Sequence, residues 1–141
     1  MADIIRFDTG IKEFSLNEAV TVRFCPTDVD FAEKVFSVAD TIDAKYEEFK
    51  DRVDKLEDNR KVFEEARIMD NEIRDQLNSI FDMDICTPLF GSMRTYSVAD
   101  GLPVWANLIL ALIDTLDADM AEQKKRANPR LKKYIAKYKR R

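Results

Sequence analysis

The sequence predicts a mainly α-helical fold. A small N-terminal antiparallel β hairpin or meander comes first, then a long αα-hairpin packed on a central apolar helix, then a basic C-terminal helix. Three observations carry this prediction. Alternation of apolar and polar side chains with period two is confined to residues 3–24. Apolar steps of three and four run through residues 31–81. The run Val104-Trp-Ala-Asn-Leu-Ile-Leu-Ala-Leu-Ile113 is apolar at every position except Asn107. A helix apolar around nearly its whole circumference is buried, spans a membrane, or faces a core on one side and a partner on the other.

Each element follows from local signals. Ile5 and Phe7 alternate with polar neighbours, Asp8-Thr9-Gly10 has turn chemistry, and Phe14 and Leu16 flank Ser15. After the turn residues Asn17-Glu18, Val20, Val22 and Phe24 alternate with Thr21 and Arg23. Such a sheet is marginal alone and needs a helix against it. Pro26 ends the last strand, and Thr27 or Asp28 caps a helix with Asp30 in its first turn. Phe31, Val35, Val38, Ile42, Phe49, Val53 and Leu56 form its seam, with Ala39 and Tyr46 between.

Glu57-Asp58-Asn59 reads as a break with a new cap, which makes an antiparallel αα-hairpin rather than one continuous helix. Val62, Phe63, Ala66, Met69, Ile73, Leu77, Ile80 and Phe81 carry the second helix. Thr87-Pro88 through Gly91 suits a short helix, and Ser97–Asp100 a second one. Gly101 marks a bend and Pro103 stands at the first turn of the apolar helix, which runs to about Ala127. Asn128-Pro129 stops it, and the basic segment beyond carries Leu131, Tyr134, Ile135 and Tyr138 along one side. The domain reading is one globular unit over 1–127, with a β element at 3–25 and a helical body at 28–127, followed by a basic segment at 128–141.

Composition narrows the function. The chain has 141 residues, enough for one domain with its own core. It has no histidine, which removes Ser–His and Cys–His nucleophile systems and Cys/His zinc sites within this chain. Cys25 and Cys86 form no CxxC pair and read as reduced thiols of a cytoplasmic protein. No signal peptide opens the chain, and the apolar run is too short for a membrane span, which needs about 18–20 residues. No glycine-rich phosphate loop or GxSxG stands in it. No cofactor or metal is expected. Asp82, Asp84, Asp114 and Asp117 are the only carboxylate groups that a divalent-metal enzyme reading would rest on, and surface Asp is the simpler reading.

Charge is split along the chain. Residues 1–123 hold all 27 acidic side chains and 13 of the 23 Lys/Arg; residues 124–141 hold the other ten and no acid. An acidic body with a basic tail points to a partner of opposite sign. The tail reads as a frayed terminus, as a dock for an acidic protein surface, or as a nucleic-acid contact through Arg130, Lys132, Lys133, Tyr134, Lys137 and Tyr138. Trp105 and the phenylalanines Phe31, Phe36, Phe63, Phe81 and Phe90 are core residues on the simplest reading. Trp105 or Leu110 becomes a partner-binding anchor if the apolar helix exceeds its cover. Asn107 and Asp114, polar on that helix, call for hydrogen-bond partners.

Three stretches carry a resemblance: Lys55-Leu-Glu-Asp-Asn-Arg-Lys-Val-Phe-Glu-Glu-Ala-Arg67, Leu89 through Leu110 with its Ala-Asp-Gly-Leu-Pro-Val-Trp core, and Asn128-Pro-Arg-Leu-Lys-Lys-Tyr-Ile-Ala-Lys-Tyr138. Over roughly residues 20–141 the chain resembles a family of small proteins carried by phages and prophages of Gram-positive bacteria among virion morphogenesis genes. That family has no assigned catalytic residues, so none are carried over. The resemblance implies a non-enzymatic protein of tail assembly, either a tail assembly chaperone or a minor tail or connector component. It would work in the host cytoplasm or the virion. Its partners would be copies of itself or a tail protein such as a tape-measure protein, with no membrane. The alternative is a nucleic-acid-binding or regulatory phage protein acting through the basic segment.

Overall fold

The computed structural model describes residues 1–126. The β hairpin pairs β1 (Lys12–Leu16) with β2 (Val20–Phe24), in the register Phe14↔Val22 and Leu16↔Val20. Asn17 and Glu18 both take positive φ, which gives the turn the twist of its strands. Period two puts Phe14, Leu16, Val20, Val22 and Phe24 on one face, and that face packs on the helices. The meander, however, is only a hairpin. Residues 1–11 join no ladder, and Ile5 and Phe7 stand 85% and 78% exposed. Their alternation is a strand pattern whose partner strand is missing among the described residues.

Two long helices follow. α1 (Val29–Asp54) is capped by Asp28, whose carboxylate accepts from the Asp30 N–H at 3.0 Å. α2 (Asn59–Phe81) is capped in the same way by Asp58 on the Arg60 N–H. The break expected at residues 57–59 is therefore real but falls at residues 55–58, and Asp58 caps the new helix. Three ion pairs fix the antiparallel register: Lys34–Asp82 at 3.7 Å, Lys45–Glu72 at 3.6 Å and Arg52–Glu65 at 3.5 Å. Residue numbers rise along α1 as they fall along α2. The seam between them buries Val35, Val38, Ile42 and Phe49 against Met69, Ile73, Leu77 and Ile80. Phe36 and Phe63 depart from the core reading, at 51% and 65% exposed. Each directly follows a residue of its helix's inward stripe (Val35, Val62), and one step of 100° turns it toward solvent.

α2 ends where Asp82 turns left-handed at φ 52°. A short helix, α3 (Cys86–Phe90), closes on Gly91 at φ 56°. Residues 97–100 are not helical as expected. Val98–Ala99 (β3) and Leu102–Pro103 (β4) form a two-residue ribbon turned by Asp100 and Gly101, both at positive φ. That ribbon delivers the chain into α4 (Val104–Lys125). The end at Lys125 falls two residues short of the sequence estimate.

α4 buries one stripe, Trp105, Ile109, Leu112 and Leu116, and of the two long helices packs chiefly on α1. Its other side faces the small hairpin and the short helix α3. The core continues from this stripe through Ile85 and Cys86 to Val22 and Phe24. Near the hairpin it is aromatic, with Phe24 stacked on Phe14 at 4.5 Å and on Phe31 at 4.3 Å between centroids. Among the described residues no helix is long and apolar enough to cross a membrane.

Candidate interaction groove

The second side of α4 opens into a groove of about 510 Å³. Val104, Asn107, Leu108, Ala111, Leu112 and Thr115 form its floor. Phe14, Ser15, Leu16 and Asn17 of β1 and its turn form one wall, with Phe24 behind them. Leu89, Phe90, Met93 and Ala99 form the other. Beyond one end, Lys12 of β1 donates to Asp119 of α4 at 2.8 Å, so the strand lies alongside the helix. The volume falls in the range of small-molecule pockets, but such pockets also need convergent polar groups. Among the described residues no charged side chain lines this one, and the Asn107 amide already donates to the Ala99 carbonyl at 2.8 Å. The lining suits apolar side chains.

One buried carboxylate sets the wall and the floor relative to each other, and it was not among the residues singled out in the sequence. Asp70, on α2, is 1% exposed. It accepts from the Thr95 N–H at 2.7 Å, the Thr95 hydroxyl at 2.8 Å and Arg74 Nε at 2.9 Å. Arg74 also donates to the carbonyls of Gly91 and Met93, at 2.8 and 2.7 Å. Thr95 in turn accepts from the Trp105 N–H at 3.0 Å, and Ser97 from the Val104 N–H at 2.8 Å. The first N–H groups of a helix have no partner within it. Here the loop pinned by Asp70 satisfies two of them and so places the start of α4. Burial pushes the Asp70 carboxyl up, but the Thr95 hydrogen bonds and Arg74 outweigh it and hold it below its usual value. Asp70 and Arg74 stand at i, i+4, a detectable sequence signal; their remote partners were not.

A second polar device shapes α3. Asn78 accepts from the N–H groups of Ile85 and Cys86, at 2.9 and 3.1 Å, and Asp84 from that of Thr87 at 3.0 Å. Asp84, just before the N-cap Ile85, thus satisfies a first-turn N–H of α3, and the hydrogen bonds from Thr87 hold its carboxyl low. Among the described residues no group of three or more His, Cys, Asp or Glu is arranged to hold a metal. Asp114 and Asp117 are exposed, so Asp114 needs no buried partner. Burial pushes the Cys86 thiol up to about 12, which leaves it protonated and unreactive.

The sequence candidates divide. Trp105 is core at 7% exposure, with its indole N–H lacking a partner among the described residues. It fills the stripe facing the αα-hairpin and is not a surface anchor. Leu110 is 46% exposed, beside the groove residue Ala111. Arg130, Lys132, Lys133, Tyr134, Lys137 and Tyr138 lie outside the described residues. The N-terminal arm adds apolar surface that sequence reasoning had assigned to a strand: Ile4, Ile5, Phe7 and Ile11 are 75%, 85%, 78% and 49% exposed.

Fold and groove together define a helical protein with an apolar cleft that is open among the described residues. Comparison with protein-family models, curated proteins and solved structures returned no match to this chain.

Proposed function

We propose that this is a non-enzymatic assembly protein of a phage or prophage, acting by protein–protein contact in the building of a tail. The observation that supports it is the apolar groove beside α4, together with an exposed apolar arm on the same chain. Surfaces of this kind are stable in water only when something covers them for part of the protein's working life. The phage setting comes from the resemblance of residues 55–67, 89–110 and 128–138. In that setting the natural clients are the protein's own copies and a tail protein with long apolar helices, such as a tape-measure protein, in the host cytoplasm before assembly or in the virion after it.

Coexpression with tail proteins, followed by pull-down, tests the proposal. Capture that is lost with Ala111→Glu, a charge placed on the exposed groove floor, is the expected result. Absence of capture, together with a chain that stays monomeric at every concentration, would overturn it. The ten Lys/Arg of residues 124–141 favour a second reading, nucleic-acid binding. It calls for a gel shift that weakens steeply with salt and vanishes when that segment is deleted.

A further inference from the structure

We infer that the N-terminal arm, residues 2–8, is an exchange strand: it leaves its own chain and lies in the α4 groove of a second copy, along the open edge of β1. This rests on the reading that the protein works by contact and names the first partner.

Four observations meet here. The arm has the alternation of a strand, with Ile5 and Phe7 on one face, yet both are almost fully exposed and pair with nothing among the described residues. Among the described residues β1 pairs with β2 alone, so its other edge offers free N–H and C=O groups. That strand forms a wall of the groove. Finally, the lengths agree. The groove floor, residues 104–115 of α4, runs roughly 17 Å at 1.5 Å per residue, and arm residues 3–8 run roughly 17 Å at 3.4 Å per residue.

The arm's root points to another chain rather than its own. Asp8 accepts from the Gly10 N–H at 2.8 Å, and Thr9 from the Ile11 N–H at 3.3 Å. Gly10 takes φ +77° and lies against Cys25, where a Cβ would come within 3.1 Å of Sγ. Thr9 and Ile11 sit beside Cys25, Asp28 and Phe31, on the flank where β2 hands over to α1. The groove lies on the β1 and α4 flank, and the arm of the same chain, exposed at Ile4, Ile5, Phe7 and Ile11, contributes no residue to its lining. A second copy can bring its own arm to that groove.

A reciprocal pair of arms buries Ile5 and Phe7 twice, at on the order of 100 Å² each, against a similar area of groove. With the strand backbone the total reaches roughly 1,000 Å², the lower limit for a specific interface. The exchange is therefore a concentration-dependent association, not a permanent dimer.

Photo-cross-linking tests it on the full chain with benzoylphenylalanine replacing Phe7, an aromatic-for-aromatic change at an exposed site. The expected result is a cross-linked dimer whose adducts map to residues 14–17 and 104–115 of the other chain. Ala111→Glu should reduce it at least tenfold while circular dichroism stays unchanged. Sedimentation velocity of the natural chain should show dimer growing between 1 and 100 μM, and Phe7→Asp should stay monomeric. Adducts within one chain, adducts elsewhere, or no adduct at 100 μM would overturn the exchange. So would benzoylphenylalanine at position 111 trapping residues 127–141 in place of the arm. Capture of a tail protein by a natural chain that forms no dimer at 100 μM would sink the exchange alone and leave the proposed function standing.

Discussion

Replacing Asp70 with alanine should be among the most damaging polar substitutions in this protein. The carboxylate is 1% exposed and joins three well-formed hydrogen bonds at 2.7–2.9 Å. Removal orphans the Thr95 N–H and hydroxyl, each buried donor costing about 1–3 kcal/mol. Arg74 keeps its two carbonyl acceptors and is 15% exposed, so its loss is partial. Arg94, at 3.5 Å and 42% exposed, adds little. Breaking one side of a buried ion pair costs about 3–5 kcal/mol, and the solvent reach of Arg74 places this case near the lower end, about 3 kcal/mol. With a urea m-value of roughly 2 kcal/mol per M, the midpoint should fall by about 1.5 M.

The effect should also be local in a particular way. Thr95 carries the acceptor for the Trp105 N–H, so exchange protection at Trp105 should drop along with that at Thr95. pH gives a further signature. Because the folded carboxyl is held below its unfolded value near 3.9, its contribution is present above about pH 4 and is lost as pH falls through the folded value. The stability gap between the natural chain and Asp70→Asn should therefore narrow from pH 6 toward pH 2. A midpoint shift below 0.3 M for Asp70→Ala, no larger than that of the exposed control Asp114→Ala, would refute this reasoning.

Other outcomes follow from single residues. Glu18, at φ 59° in the hairpin turn, occupies a conformation that disfavours side chains; Glu18→Gly should raise stability by about 0.5–1 kcal/mol in urea melts. Phe36→Ser and Phe63→Ser should change stability by less than about 0.5 kcal/mol. Phe24→Ala, by contrast, should cost about 3–5 kcal/mol, because Phe24 is 6% exposed and stacked between Phe14 and Phe31. Cys86, with its thiol pushed up to about 12 and 1% exposed, should resist iodoacetamide at pH 8 in the native protein and react fully in denaturant, read by mass spectrometry.

Much of this fold was written in local chemistry. Asp28 and Asp58 announce the two helix starts, Gly91 the end of α3, and the Phe14-to-Phe24 alternation the hairpin. Period alone misplaced the aromatics: Phe36 and Phe63 sit one step beyond inward positions, and an apolar pair such as Val35-Phe36 does not say which member faces in. Ile5 and Phe7 carry a strand signal that no neighbour among the described residues answers. The groove was legible only as an excess, more apolar circumference on α4 than its neighbours were expected to cover. Its walls depend on Asp70 reaching Thr95 across 25 residues, a contact between groups that no spacing rule connects.

Under the proposed function α4 serves both the core, through Trp105, Ile109, Leu112 and Leu116, and another polypeptide, through the groove beside Ala111. Sedimentation velocity of Ala111→Glu beside the natural chain, each alone and coexpressed with tail proteins, separates these two roles. The expected result is a folded Ala111→Glu chain that sediments as a monomer and carries no partner, while the natural chain associates. Undiminished association of Ala111→Glu, with itself or with a tail protein, would contradict it.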